Sequence, residues 1–553
     1  MSVAVSNTDV LIVGAGPTGL TMAIDLGKRG VRCTILEQKE APQFLPKMER
    51  CNARTMEIYR RLGIADKIRA AGLPRDCPMD VFIVLSLVEP PLLHLPYPSV
   101  TEATADIAAH SDGTRPLEPY QLISQYTLEP LLKSVAEELS TVSVCYGREF
   151  VSFTEIDDSV MVHVRRLDGT DEKIRTRYLV GCDGGASAVR KQLGIKLSGE
   201  ANLLKLRQAL FYCEDLYEKI TIGKGRHYHV ADDKATFLIV QDSTKHFTLH
   251  AVVDSDAEMA QQFEKTIAMP LPYEMLYVGE WRQNLLLADR YGDGKRVFLA
   301  GDAAHLVIPT GGLGMNTGVG DAIDLSWKLA AVLRGWGGPQ LLRSYEIERR
   351  QIGDRNVQAS GCASQGRRKW RSQYRPEICD NSPAGTEARD NLARIADVEQ
   401  RKSNEMIGAE LGYRYDNSPL ICDENGAAPE HDSMRYVPST WPGSRLPHVW
   451  LADGGAMQDR IGYGFGYTLL DLSGNDGADT GLAQAFAAIG APLQVLRIEN
   501  AHAREIYGSS YLLLRPDMHV VWRGDRPHES PKTLAAIATG HHAGAAVTPA
   551  AAP

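Results

Sequence analysis

The chain of 553 residues lacks any C-x-x-C pair, and its nine cysteines, at positions 33, 51, 77, 145, 182, 213, 362, 379 and 422, are odd in number. That excludes a zinc knuckle and a disulfide framework and points to a reducing cytoplasm. No segment has the 18 or so continuous apolar residues that a membrane helix needs. The short run Val10-Leu11-Ile12-Val13 is no signal segment either, because no basic stretch precedes it and Gly14, Gly16 and Pro17 interrupt it at once. A basic surplus is also missing. With 60 Lys and Arg against 69 Asp and Glu, the net charge is −9, so the chain as a whole has no attraction for phosphate backbones. Neither nucleic acid nor membrane is expected as a partner. What is present is ordinary globular material, 44 % hydrophobic and 23 % charged, in a length that suits about three to four domains.

The opening segment reads strand, glycine turn, helix, strand. Val10-Leu11-Ile12-Val13 has the fully apolar character of a strand buried in a parallel sheet. Gly14, Gly16 and Gly19 then form G-x-G-x-x-G. The first glycine permits the tight turn and the second lets the backbone approach a pyrophosphate. The third lets helix and strand pack closely, with the helix N-terminus facing the anion. Glu37 closes the next strand, where an acidic side chain can hydrogen-bond ribose hydroxyls.

Further along, a second helix is expected over 53–62, stopped by Gly63, and another over 125–139. Residues 151–180 read as strands with a turn at Asp168-Gly169, and alternating stretches between 205 and 285 predict an antiparallel sheet. Val297-Phe298-Leu299-Ala300 is again a buried parallel-type strand. It runs into a glycine-rich loop over 311–320 and a long helix over 321–333. The polar helical region 351–431 carries no motif and reads as a connector. Alternation along Arg226-His227-Tyr228-His229 puts the two histidines on one face of a strand and Arg226 with Tyr228 on the other. Either face suits an aromatic pocket or a nicotinamide. Two histidines without a third ligand make no metal site.

Several segments together resemble the class A, single-component FAD-dependent aromatic hydroxylases, in particular the phenol hydroxylase group. Gly181-Cys182-Asp183-Gly184 resembles their Asp-Gly motif, and Ala300-Gly301-Asp302-Ala303 their second FAD motif. Pro309-Thr310-Gly311-Gly312-Leu313-Gly314-Met315-Asn316 resembles the loop beside the isoalloxazine ring. Asp321-Ala322 and Trp327-Lys328-Leu329 complete the signature. The resemblance implies an α/β chain with a discontinuous Rossmann-like FAD-binding domain over 1–350. A mostly antiparallel substrate-domain sheet is drawn from about 81–120 and 200–285. A helical connector over 351–440 and a thioredoxin-like α/β domain over 441–540 follow, then a disordered tail over 541–553. The thioredoxin-like part has no cysteine, so it performs no thiol–disulfide step.

For FAD the expected contacts are Gly14, Gly16, Pro17, Gly19, Glu37 and Gln38 around the first turn. Arg54 on the phosphates or ribose, Gln125 on the flavin, and Asp183 of the Asp-Gly motif are added by resemblance. Gly301, Asp302, Gly314, Met315 and Asn316 complete the set. A carboxylate at Asp302 can accept hydrogen bonds from a ribityl chain, and the loop after it can turn backbone N–H groups to the flavin pyrimidine edge. His305 reads equally as a structural histidine or a flavin neighbour, and Glu129 as structural. Where many relatives have arginine, Lys47 stands here.

Glu49, Arg226, Tyr228 and Pro309 are the expected catalytic residues. Glu49 reads either as a partner of the substrate hydroxyl or as a structural ion-pair member. A glutamate near 4.3 facing a phenol near 10 is mismatched by about six pH units, roughly 8 kcal/mol, so hydrogen bonding that strengthens during reaction is easier than outright proton removal. The implied reaction is hydroxylation of a phenolic substrate, as in aromatic compound catabolism. It uses NADH or NADPH and O₂ through a flavin C4a-hydroperoxide. Expulsion of nitro or halide from a substituted phenol, and polyketide tailoring, need the same apparatus. A flavin-binding scaffold or sensor is the non-enzymatic alternative. A homodimer is expected.

Overall fold

The computed structural model describes residues 5–464, 466–475 and 480–542. Strand β1 (Val5–Val13) runs into helix α1 (Pro17–Lys28) and then β2 (Cys33–Glu37). Pro17 opens α1 at a position where its missing N–H costs nothing. The short β3 (Arg50–Cys51) leads into α2 (Ala53–Arg61), whose first turn is capped by Asn52 accepting from the Thr55 amide. Next come β4 (Val81–Val84), then β5 (Gln121–Leu122), which pairs with β3, and α3 (Gln125–Glu137). β6 (Asp171–Gly181) closes the first half of the Rossmann-like layer.

The first sheet has the order 142–146, β2, β1, β6, 159–166, 148–156. Its first four strands are parallel, and 159–166 and 148–156 extend it as an antiparallel hairpin. The apolar run in β1 is almost wholly shielded from water, as its composition required.

The second sheet contains β7 (Lys205–Tyr212), β8 (His227–Val230), β9 (Phe237–Val240) and β10 (His246–Ala251). Its order is 274–282, β7, β10, β9, β8, β4, 93–95, antiparallel except for β8 beside β4. One face is apolar, with Phe82, Val84, Tyr228, Val230, Leu238 and Leu249 packed on α4 (Asp256–Ile267) through Met259, Phe263 and Ile267. The opposite face carries His227, His229, Phe237 and His250.

β11 (Val297–Leu299) pairs in parallel with the end of β6 and delivers the chain to α5 (Gly314–Leu333). This helix starts seven residues earlier than the 321–333 expectation, so of the glycine-rich stretch 311–320 only 311–313 is loop. The glycines inside its first turns serve packing: a Cβ on Gly318 would collide with Thr18 of α1. α6 (Pro339–Arg371) is a single helix of 33 residues, and the domain boundary expected at 350 falls inside it. α7 (Pro383–Asn404) packs along α6. Between 412 and 441 the expected helical connector is irregular.

The C-terminal sheet has β12 (Tyr467–Asp471), β13 (Leu493–Arg497), β14 (Tyr511–Leu514) and β15 (Val520–Gly524) in the order β13, β12, β14, β15. β12 and β13 are parallel and the other pairs antiparallel, the strand arrangement of a thioredoxin-like domain. The last cysteine, Cys422, precedes it. The Ala/Pro tail read as disordered lies, beyond residue 542, outside the described residues.

Candidate active site

Three glycines shape the turn after β1, and they do not do the same work. Gly14 has φ +103° and a Cβ there would strike the Cys182 carbonyl; on Gly19 it would strike the Gly14 carbonyl. Both are required by the protein's own packing. Gly16 is different, since a Cβ would meet nothing nearer than Glu129 Oε1 at 3.8 Å. The open side of Gly16 is therefore free for a group from outside, and the unpaired amides at the start of α1 suit an anion there. We expect Gly16→Ala to fold with little change in melting temperature but to retain less FAD. Gly14→Ala should lose stability first; flavin released per protein and melting curves separate the two.

Glu37 sits beside this turn. Its Oε2 accepts from the Ala15 amide at 3.1 Å and its Oε1 from the Lys39 amide at 3.0 Å, while Gln38 is exposed next to it. Gln125 donates to Glu129 Oε1 at 2.6 Å, which brings the side chain expected at the flavin to the region of Gly16. Gly301, at φ +63°, packs on Thr18 just after Pro17. Asp302 follows it, accepts no hydrogen bond from the described residues and is open to water. The protein packed around it removes part of its hydration and raises its carboxyl above the usual range, against the opposing pull of His305 and Lys47. Lys47 also acts on Glu129, so the lysine that replaces the relatives' arginine puts its charge between the two carboxylates.

Asp321 anchors this side of the cleft. Its Oδ2 accepts from the Gly301 amide at 3.0 Å and from His305 Nε2 at 2.7 Å, and its Oδ1 from Arg349 Nε at 2.7 Å. Burial works to raise its pKa, but Arg349 and His305 together hold the carboxyl below its ordinary value. His305, fully buried against Asp321, is thereby a structural histidine.

Three expected FAD contacts have their side chains engaged elsewhere. Asp183 accepts from Ser187 Oγ at 2.6 Å and the amides of Ala188 and Val189 at 2.7 and 3.2 Å, so it caps the following short helix. Arg54 points away from the cleft: it donates to the Asp517 carbonyl at 2.9 Å and contacts Tyr413 and Glu57 at 3.4 Å. Its side chain belongs to the seam with the C-terminal domain. Asn316 accepts from the Asn52 amide at 2.9 Å and donates to the Gly312 carbonyl at 2.6 Å. That side chain ties the loop 309–313 to the start of α2. The first turn of α5 leaves the amides of Gly314, Met315 and Asn316 for a ligand, since a helix cannot pair them internally. Pro309, an expected catalytic residue, is exposed and heads the turn, accepting from the Gly312 amide at 2.9 Å.

On the far side of this loop lies the polar face of the second sheet. Arg50, next to Glu49 in the chain, holds the loop by donating to the Gly311 carbonyl at 2.9 Å, and it also donates to Glu410 at 3.2 Å. Glu49 directs both carboxylate oxygens to His227 Nε2, at 2.8 and 2.7 Å. Burial raises the Glu49 pKa, but His227, Arg226 and Arg50 outweigh it and hold the carboxyl at about 2. Burial also pushes His227 down to about 4, with Arg226 adding to that and Glu49 opposing it. At neutral pH the pair is a carboxylate and a neutral imidazole that donates from Nε2. The other nitrogen, Nδ1, is buried without a partner.

Tyr228 is corrected from a catalytic residue to a core residue. Its ring stacks on Phe82 at 5.3 Å, and its hydroxyl accepts from the Gly225 amide and donates to the Gly223 carbonyl. Arg226 lies just before β8, where strand alternation no longer applies, and its charge acts on Glu49 and Arg50 rather than on the Tyr228 face. The helices read as a connector also reach this face. Gln400 of α7 donates to His229 at 3.1 Å and accepts from Trp370 of α6 at 3.0 Å, and Arg367 lies over the Phe237 ring at 5.0 Å. Local sequence pattern carries no signal for Gln400 or Arg367. Arg50 was within reach as the neighbour of Glu49.

A family model described as an FAD-binding domain matches residues 7–360, and one described as the C-terminal part of aromatic-ring hydroxylases matches 439–544. The FAD-dependent monooxygenase apdD of Emericella nidulans is 34 % identical over 96 % of this chain and 90 % of its own length. Phenol 2-monooxygenase of a Pseudomonas species is 30 % identical over 96 % and 92 %. The structure of RebC, soaked with chromopyrrolic acid and with 7-carboxy-K252c bound, is 31 % identical and superposes with a TM-score of 0.88 over 98 % of this chain and 100 % of that one. The glycine turn open at Gly16, the free Asp302 and the unpaired amides of α5 fit FAD. With both domains matched and relatives aligned almost end to end, the chain belongs to the class A FAD-dependent aromatic-ring hydroxylases.

Proposed function

We propose that this monooxygenase hydroxylates a phenolic ring with NADH or NADPH and O₂, and that the Glu49–His227 pair receives the proton of the substrate hydroxyl. The observation that carries the reading is the double contact of Glu49 with His227 Nε2 on the polar sheet face, across the loop 309–313 from the cofactor cradle. FAD, once bound, takes up hydride and activates oxygen, while the chain binds, orients and shields the ring. Glu49 fixes the tautomer of His227, so Nδ1 is the basic nitrogen. A phenol near 10 does not yield its proton to an imidazole near 4 at rest, the gap being about 8 kcal/mol. As the ring loses electron density during oxygen attack its hydroxyl becomes more acidic, and Nδ1 can then take the proton with Glu49 stabilising the imidazolium. Phe237 stacks on His250 at 5.8 Å and Trp281 meets the same imidazole edge-on at 5.6 Å, supplying an aromatic wall beside this pair.

The nine cysteines are all unpaired, which supports a reducing, cytoplasmic setting. No helix among the described residues is long and apolar enough to cross a membrane. A homodimer, with the cysteine-free C-terminal domain in assembly rather than redox, belongs to the same reading.

The test is oxidation of NADH and NADPH by the holoenzyme with a panel of phenols, nitrophenols and polycyclic hydroxyquinones, followed by product analysis. A hydroxylated product is expected; nitrite or halide release would identify expulsion of a substituent. No stimulation by any member would leave a flavin-binding protein without turnover. For phenols that stay un-ionised, kcat/KM should be level from pH 8 to about 5. It should then fall as His227 protonates near 4, because a protonated Nδ1 cannot accept.

A further inference from the structure

Two guanidinium groups beside the aromatic wall have no acidic partner. Arg226 is 3 % exposed, and its Nε and Nη1 meet no acceptor. Its Nη2 lies 2.9 Å from the Asn404 side-chain amide, whose oxygen accepts from it once that amide is turned over. Arg367 lies over Phe237 at 5.0 Å with its Nε buried and unpaired. The neighbouring carboxylates are already committed, Glu49 to His227 and Glu410 to Arg50. Neither Arg226 nor Arg367 forms an ion pair among the described residues, though each lies in the field of the other and of Glu49. Arg367 is half-buried, but for Arg226 a buried cation left in that condition is costly, and proteins ordinarily pair it. Burial and these same cations push His227 and His229 toward the neutral form, so the histidines add no charge of their own at neutral pH.

We propose that the aromatic substrate carries a carboxylate and that Arg226 and Arg367 bind it. The proposal rests on the reading of this polar sheet face as the substrate site and names the class of molecule that it binds. A planar guanidinium matches the two oxygens of a carboxylate, and a second one beside an aromatic ring keeps the acid's own ring against Phe237. The hydroxyl of the same molecule goes to the Glu49–His227 pair. An uncharged phenol would satisfy the histidine and leave both arginines unpaired.

The probes are 1-hydroxy-2-naphthoate and its carboxamide, titrated into holoenzyme while the flavin absorbance is followed, without NADH or NADPH. The acid should bind about 10- to 100-fold more tightly than the amide. Arg226→Met and Arg367→Met should each remove most of that preference and leave amide binding within about twofold, and Arg226→Lys should retain part of it. A second measurement needs no ligand: Arg226→Met should melt no lower than the unaltered protein, since it removes an unpaired buried charge. Equal affinity for acid and amide, no binding of the acid at millimolar concentration, equal weakening of both probes in the variants, or a clear drop in melting temperature for Arg226→Met would each overturn the proposal. Oxidation of NADH or NADPH stimulated only by uncharged phenols would reject the carboxylate and keep the hydroxylase reading, so the two failures are distinguishable.

Discussion

Glu49→Gln should slow hydroxylation of un-ionised phenols by about 10²- to 10³-fold while FAD content stays unchanged. The amide still accepts a hydrogen bond from His227 Nε2, so the geometry at 2.7–2.8 Å can survive. What disappears is the negative charge that would stabilise an imidazolium, in a setting that is largely buried and already holds the guanidinium groups of Arg226 and Arg50. Protonating His227 beside those cations without Glu49 is unfavourable, and the proton must then stay on the substrate during oxygen attack. Nitrophenols, ionised at the assay pH, have no such proton to lose and should be slowed much less. Rates across phenols of graded acidity test this. A uniform loss, or none, would reduce Glu49 to a structural partner of His227.

Arg515→Met should be the most destabilising single change outside the hydrophobic core. Arg515 is fully buried between the two main parts of the chain, donating to Asp324 at 2.7 Å, Glu348 at 2.6 Å and Asp517 at 2.6 Å. Lys328 is the other cation of the group, at 2.7 Å from Asp324 and 2.5 Å from Glu348. Removing the arginine leaves three buried carboxylates against one lysine, a loss of about 3–5 kcal/mol. A chain of this size need not unfold in one step, so the readouts are the melting temperature and early proteolytic release of the C-terminal domain.

The pH dependence has a definite sign. Burial raises Glu348, but Arg515 and Lys328 hold it well below the usual carboxylate range. Its contribution in the unaltered protein is thus present above the unfolded carboxylate pKa and lost only as pH falls through the lower folded value. Asp324 has the opposite sign, since burial already raises it to about 7 against the pull of Lys328 and Arg515. Without Arg515 it rises further and Glu348 and Asp517 lose the cation that holds them down, so the variant should recover stability as pH is lowered toward 5. A variant equally destabilised at pH 5 and 8 would show that packing, not charge, explains the loss. Glu348→Gln on the Arg515→Met background should restore part of the difference, because it removes one of the stranded charges.

Contiguous segments carried the legible part of this protein. β1, the glycine turn, α1 and β2 follow one another within 33 residues of chain, so apolar run, turn chemistry and the acidic strand end sufficed to place them. Alternation in β8 likewise determined that His227 and His229 share a face opposite Tyr228, because a strand's side-chain period is local. Which of those faces meets α4 and which meets Glu49 was beyond such reasoning. It depends on contacts between residues 178 positions apart. For the same reason Arg54, Asp183 and Asn316 matched the expected motif while their side chains went to other partners. Arg367 and Gln400, in a region with no motif, joined the site because α6 and α7 pack over its sheet. Periodicity and turn residues record what the chain does over a few residues. The partner of a buried polar group is chosen by whichever elements the hydrophobic core brings against it, and that choice is made only when the tertiary structure forms.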